Sequence, residues 1–190
     1  MFKNLLLSLA LLLTISVQAA ETPLPNPQVI IKTNFGDINL RLFRDKAPIT
    51  VENFLQYVDS GHYNGTIFHR VVPRFMIQGG GFLPDMSKKE TGDPIVNESK
   101  NKLHNMRGTI VMARTNDPDS ATNQFFINQS TNLNLDWSPG APGYTVFGEV
   151  TSGLDVVDFI ASSPTTRVGG YDNVPTETII ITEIKRKSLL

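Results

Sequence analysis

The chain contains no cysteine, which removes disulfides, thiolate nucleophiles, cysteine zinc sites and an acylated lipoprotein cysteine together. Stability must come from packing, and a thiol-free composition suits an exported protein that avoids oxidative mispairing. Charge of either sign is not in excess either. The 17 Lys plus Arg oppose 18 Asp plus Glu, for a formal charge of −1. That balance supplies no phosphate-neutralising energy, so no nucleic-acid partner is expected. Histidine is scarce: His62, His69 and His104 form no i, i+4 pair and sit in no metal-hydrolase motif, so no metal is expected. The Gly-x-Ser-x-Gly nucleophile elbow is missing. Gly79-Gly80-Gly81 lacks the Lys-Ser or Lys-Thr of a phosphate loop and the spacing of a dinucleotide fold, and reads as a sharp turn with close backbone approach. Asn64, Asn97 and Asn128 head Asn-x-Ser/Thr triplets, which matter only in a eukaryotic secretory route.

Apolar runs long enough to span a membrane are also lacking. The run from Leu5 to Val17 follows the charged Lys3 and ends in Val17-Gln18-Ala19. A basic start, a short apolar core and small residues in a V-x-A arrangement predict a signal peptide over 1–19, cleaved after Ala19. Cleavage removes Lys3 and leaves a net charge of about −2. The mature protein is then expected to be exported, with no stable membrane insertion after cleavage. Pro23, Pro25 and Pro27 make residues 20–27 an extended tether, and a single domain is expected over 28–187.

Within that domain Val29–Thr33 and Asp37–Phe43 flank Asn34-Phe35-Gly36, and the alternation over 38–42 predicts a hairpin with one wet face. Val51, Phe54, Leu55 and Val58 recur at helical spacing with Gly61 as a stop, predicting a helix on a sheet. Short β-rich runs follow at 66–72, 74–79, 109–114, 124–128 and 144–150. Residues 153–163 read as a second helix and 178–185 as a closing strand. About eight strands with two helices and no strand-helix-strand alternation predict a closed antiparallel barrel, since closure removes edges. Two long irregular segments, 82–106 and 129–143, carry the expectation of function.

Large and forked side chains concentrate in two places. Along Phe68–Phe82 the two-residue period puts Phe68 beside Arg70 and Met76 beside Gln78; along Asn123–Ile127 it puts Gln124 beside Phe126, with Phe125 and Ile127 pointing inward. If the two faces meet, an Arg, a Met, two amides and a Phe line one shallow surface. The same pattern is also that of any half-buried strand pair with an ordinary surface Arg.

Four ordered segments, FHRVVPRFMIQGGGF, Gly108–Ala113, Asn123–Ile127 and Tyr144–Gly148, resemble the cyclophilins, the family of peptidyl-prolyl cis-trans isomerases. The resemblance covers nearly all of the mature chain. It implies a mainly β fold, a closed eight-stranded antiparallel β-barrel capped by two α-helices, with a packed interior and the active groove on its outer wall. It implies that Arg70 is catalytic and that Phe75, Met76, Gln78, Ala113, Arg114, Gln124, Phe126, Leu135 and Tyr144 bind substrate. Three positions depart from the family pattern. Tyr144 stands where familiar eukaryotic members have His. Asn134 stands where Trp is usual, a residue that contributes strongly to cyclosporin binding, and Trp137 lies three residues on. Arg114 stands where Asn is common and where the family uses the backbone for substrate; its charge would suit an acidic flank.

The implied reaction needs no cofactor, because rotation about an X-Pro amide breaks no bond to a heavy atom. Resonance opposes it with a barrier of about 18–20 kcal/mol. The implied partners are proline-containing unfolded or loop segments of exported proteins, met in the periplasm by a monomeric enzyme. Two other classes compete: a module that holds proline-containing peptides in the same groove with little turnover, and a barrel that stores a small ligand in an empty lumen.

Overall fold

The protein is described by a computed structural model over residues 25–187. The predicted signal peptide, and the tether up to residue 24, lie outside the described residues. From Asn26 the chain is already docked: its Nδ2 donates to Asp45 and its Oδ1 accepts the Arg44 N–H.

The expected hairpin forms from β1 (Gln28–Thr33) and β2 (Gly36–Leu42). There follow α1 (Pro48–Asp59), β3 (Arg70–Val72), β4 (Met76–Gly79), β5 (Thr109–Met112), β6 (Phe125–Asn128), β7 (Val146–Ser152) and α2 (Leu154–Ala161). The chain then makes β8 (Thr165–Val168), β9 (Tyr171–Pro175) and β10 (Ile181–Arg186). Eight strands pair antiparallel in the order β10-β1-β2-β7-β5-β6-β4-β3, while β8 and β9 form a separate two-stranded ribbon.

The expected closure is not reached: the sheet is a half-barrel that curls through 227°. Its edge strands β3 and β10 share no ladder. The segment ahead of β3 meets the chain that leads into β10 and its first residue instead, through Phe68 N–H to Ile179 O (2.9 Å) and Ile181 N–H to Thr66 O (2.8 Å). β3 has only three residues and β9 packs beside it, which leaves no length for pairing. The ribbon itself is wet on most of its surface, so it lacks the apolar alternation that marks a strand.

The interior is filled. Phe54 of α1 meets Tyr63, Phe125 and Phe147 at ring-centroid distances of 5.2, 5.6 and 5.2 Å. Val51, Leu55 and Val58 complete the stripe of α1, and Val157 and Ile160 of α2 enter the same core. Among the described residues these side chains fill the space that a stored ligand would need. Gly80, at φ +88°, lets the chain turn where any Cβ would lie 2.9 Å from the rings of Phe125 and Tyr63, so the glycine run serves the turn expected of it.

The long segment 82–106 has a structural task. Ala47, at the N-cap of α1, offers no side-chain oxygen, and Glu98 fills the role from a distance. Its carboxylate accepts the N–H of Ile49 (3.2 Å) and of Thr50 (2.8 Å), and the Thr50 hydroxyl (2.6 Å). An anion at a helix N-terminus is favoured by both the unpaired N–H groups and the helix dipole.

Two expectations follow. Glu98→Ala should lower unfolding free energy by about 1–2 kcal/mol, as loss of a cap does; urea denaturation measures it, and an unmoved midpoint would show that the carboxylate contributes nothing. The second concerns His69, whose ring lies 4.3 Å from that of Phe82, which in turn meets Tyr171 of the ribbon edge-on. Burial, and next the neighbouring Arg70 charge, push its imidazole down from 6.5 to about 4. The unfolded chain therefore takes up the proton first. Stability is full above pH 6.5, falls as pH drops toward 4, and levels below. The difference amounts to about 3 kcal/mol, and it should vanish from the pH dependence of urea midpoints in His69→Gln.

Candidate active site

The register of four ladders builds one row across the outer face of the sheet. Arg70 pairs with Gln78, Gln78 with Phe126, Phe126 with Val111, and Val111 with Val146. Their chain neighbours Val71, Ile77, Phe125, Ile127 and Ile110 point into the main core. Period-two alternation thus produces two apolar layers: the interior, and a smaller outer cluster of Met76, Val111, Phe126 and Val146. One expectation fails here. Phe68 does not share a face with Arg70; it is fully buried in the interior, because the strand begins only at Arg70 and the alternation breaks at His69.

On that outer cluster lies a recess of about 190 Å3. It is lined by Arg70, Phe75, Met76, Gln78, Ala113, Arg114, Phe126, Leu135 and Tyr144. Every residue singled out from the sequence is among these except Gln124. Met76 and Phe126 form a sheet-borne floor and are nearly inaccessible. Phe75 is thrown over it by a turn in which Phe75 N–H returns to Val72 O (3.1 Å). Pro73 sets the first corner of this turn, and Arg74 takes φ 60° at the second, the geometry of a type II turn. Leu135 comes from the 3₁₀ turn Leu133–Leu135, and Tyr144 stands edge-on to Phe126 at 5.8 Å and 74°.

At the lip of the recess three polar side chains are linked in series. Arg70 Nη1 donates to Gln78 Oε1 (3.2 Å), and Gln78 Nε2 donates to Gln124 Oε1 (3.0 Å). Gln124 therefore lies behind Gln78, on the wall of an adjoining polar cleft of about 530 Å3 that also holds Lys88, Thr115, Ser120 and Asp172. Its position depends on Gly81, where a Cβ would fall 2.4 Å from the Gln124 Cγ.

Arg114 is committed to the protein. Its guanidinium lies 4.2 Å from the Tyr144 ring centroid and donates to the carbonyls of Gly143, Thr115 and Pro142 at 3.3, 2.8 and 2.7 Å. Those bonds, with the cation–π contact, clamp the segment that carries Tyr144. The charge expected to meet an acidic flank is thus spent largely on internal carbonyls. Asn134 is exposed and does not line the recess. Trp137 does not replace it, but lies under Lys100, whose Nζ is 5.5 Å from the ring centroid.

Sequence reasoning missed Val111 and Val146 beneath the floor, although the two-residue period marks both. It also missed the buried amides Asn105, Asn128 and Asn132 behind Phe75, for which the asparagine-rich run 128–134 was the available signal. Asn128 is fully buried and Asn97 donates to Pro118 and Gly143 carbonyls, so neither triplet presents a free side chain. Among the described residues no group of three His, Asp or Glu side chains is placed to hold a metal ion.

Known proteins share this sequence and this fold. The family described as "Cyclophilin type peptidyl-prolyl cis-trans isomerase/CLD" matches residues 28–186. A peptidyl-prolyl cis-trans isomerase of Acinetobacter baylyi is 52% identical over 166 residues, covering 87% of this chain and 88% of that protein. Peptidyl-prolyl cis-trans isomerase B of Escherichia coli is 53% identical over 159 residues, covering 82% and 97%. Among solved structures, a cyclophilin-type isomerase of Cryptosporidium parvum, in the presence of the dipeptide Ala-Pro, superposes with TM-score 0.74 at 30% identity, covering 85% of this chain and 99% of that one. The chain belongs to the cyclophilin-type peptidyl-prolyl cis-trans isomerases.

Proposed function

We propose that the outer recess seats the proline ring of an X-Pro segment and that Arg70 is the group that accelerates rotation about the bond. One observation carries this reading: a guanidinium anchored by Gln78 at the lip of a recess with an apolar floor of Met76 and Phe126, whose lining contains no carboxylate, imidazole or thiol. Such a lining is poorly equipped for proton shuttling or nucleophilic attack and well equipped for holding an apolar ring beside a fixed cation.

The chemistry asks for no more. A planar X-Pro amide is held by conjugation of nitrogen with carbonyl, and uncatalysed exchange takes tens of seconds or longer. At the perpendicular geometry conjugation is lost and the prolyl nitrogen regains a lone pair. A donor positioned to meet that lone pair binds the twisted state more strongly than either planar isomer, and each ~1.4 kcal/mol of difference is worth about tenfold in rate. Arginine suits the task because it stays charged and presents its donors as a rigid fork. With one arm of the fork held by Gln78, and Gln78 braced by Gln124, the rest remains for the substrate. Phe75, Met76, Phe126 and Leu135 supply the apolar seat, Tyr144 its margin, and the backbone around Ala113 and Arg114 a rail for the flanking chain.

The same reading extends to clients and place. A charged start, a short apolar core and Val17-Gln18-Ala19 favour export through a cleaved signal, and relatives named as bacterial isomerases favour the periplasm. The clients are then folding exported chains whose X-Pro bonds isomerise slowly enough to limit folding, and the enzyme works as a monomer.

Two-dimensional exchange NMR on an Ala-Pro peptide tests the activity directly. Wild type should accelerate cis-trans exchange, and Arg70→Ala and Arg70→Lys should keep the fold but lose at least about tenfold, since a compact ammonium has no fork. Equal rates in the variants would remove Arg70 from the mechanism. Binding of the peptide by wild type without faster exchange would instead favour a holding module.

A further inference from the structure

The floor of the recess is set by sheet ladders, but three of its walls are not. Phe75 sits in the turn ahead of β4, Leu135 in a 3₁₀ turn, and Tyr144 in the irregular chain ahead of β7. Something other than strand pairing must hold them in one geometry, and the hydrogen bonds converge on Asn132, which is 8% exposed.

Both hydrogens of the Asn132 Nδ2 are used: one goes to the Phe75 carbonyl (3.1 Å), the other to Asn128 Oδ1 (2.7 Å). The Asn132 carbonyl accepts the Leu135 N–H (2.9 Å), and the Leu135 carbonyl accepts the Tyr144 N–H (2.9 Å). One residue thus joins all three walls. Its own support is a closed circuit of buried amides. Asn128 Nδ2 donates to Thr109 Oγ1 (2.9 Å) and Asn105 Oδ1 (3.2 Å). Asn105 donates from its backbone N–H (2.7 Å) and Nδ2 (2.9 Å) to Asp136 Oδ1, on the residue that follows Leu135. In a site removed from water each bond of such a circuit fixes the next, and an orphaned donor or acceptor costs more than a single bond is worth.

We infer that Asn132 is a positioning residue for this enzyme: it sets the separation of Phe75, Leu135 and Tyr144, and through it the affinity for the proline ring, without touching substrate. The inference rests on the recess being the proline seat. The Arg70–Gln78–Gln124 series shares no hydrogen bond with the amide circuit, so the two can be perturbed separately. Loss of Asn132 should therefore act on KM more than on kcat.

The test is exchange NMR over a range of Ala-Pro peptide concentrations, on the folded protein. Asn132→Asp, which turns the donor into an acceptor facing two acceptors, should raise KM about fivefold or more while kcat stays within about threefold. Glu98→Ala, which removes a carboxylate bonded to the start of α1 and leaves the backbone N–H to Thr145 in place, should leave KM unchanged. In a Phe75→Ala background the effect of Asn132→Ala should shrink to less than about twofold, because the wall that the Asn132 side chain bonds directly is gone. An unmoved KM in Asn132→Asp overturns the inference, as does a parallel fall in kcat, or an undiminished effect in the Phe75→Ala background. Should Asn132→Asp fail to fold, Asn132→Ser, too short to reach the Phe75 carbonyl, decides the same question. Wild type that fails to accelerate exchange would overturn the isomerase reading itself, an outcome distinct from an active wild type whose KM ignores residue 132.

Discussion

A guanidinium kept against an apolar recess must be anchored on one side and left open on the other. Here the anchor is an amide, not a carboxylate: Gln78 holds Arg70, and Gln124 holds Gln78. A carboxylate partner would form a tighter pair, but it would neutralise the cation and occupy more of the fork. Neutral acceptors in series hold direction while preserving charge. The rest of the architecture follows from that requirement. The antiparallel register places Arg70, Gln78 and Phe126 side by side, and the aromatic-filled interior gives these short strands a rigid backing.

Rigidity is unevenly provided around the site. The floor inherits it from ladder bonds, each of which also serves the fold. The walls receive it from side chains with no comparable role elsewhere: Arg114 on the carbonyls about Tyr144, and the asparagine circuit behind Phe75 and Leu135. Arg114 in particular stabilises by geometry, with its charge lying over the Tyr144 ring.

Much of this was legible in the sequence, and the gaps have physical causes. Strand faces could be read wherever a period of two ran unbroken, which is why Met76, Gln78, Gln124 and Phe126 were assigned to one surface. The period failed at His69, so Phe68 was placed on the wrong side. Strand number predicts closure, but closure depends on the two edges meeting, and β3, three residues long and paired with β4, shares no ladder with β10. The ribbon β8–β9 went unread because it is mostly wet, although the adjacent Gly169-Gly170 is a hairpin signal in its own right. The Arg114 clamp and the Asn132 circuit are invisible for a different reason: among their partners are the backbone carbonyls of Pro142, Gly143 and Phe75, tens of residues away, and a carbonyl carries no mark of its position in the sequence.

The recess lies on the convex side of the curl, outside the packed interior. A polypeptide can rest across it and run on in both directions without threading through anything, so the length and bulk of the client beyond a few residues do not limit access. On the function proposed above, what limits access is whether a proline-containing segment is presented bare and pliable, so that selection falls on the local exposure of the segment and not on the size of the molecule that carries it.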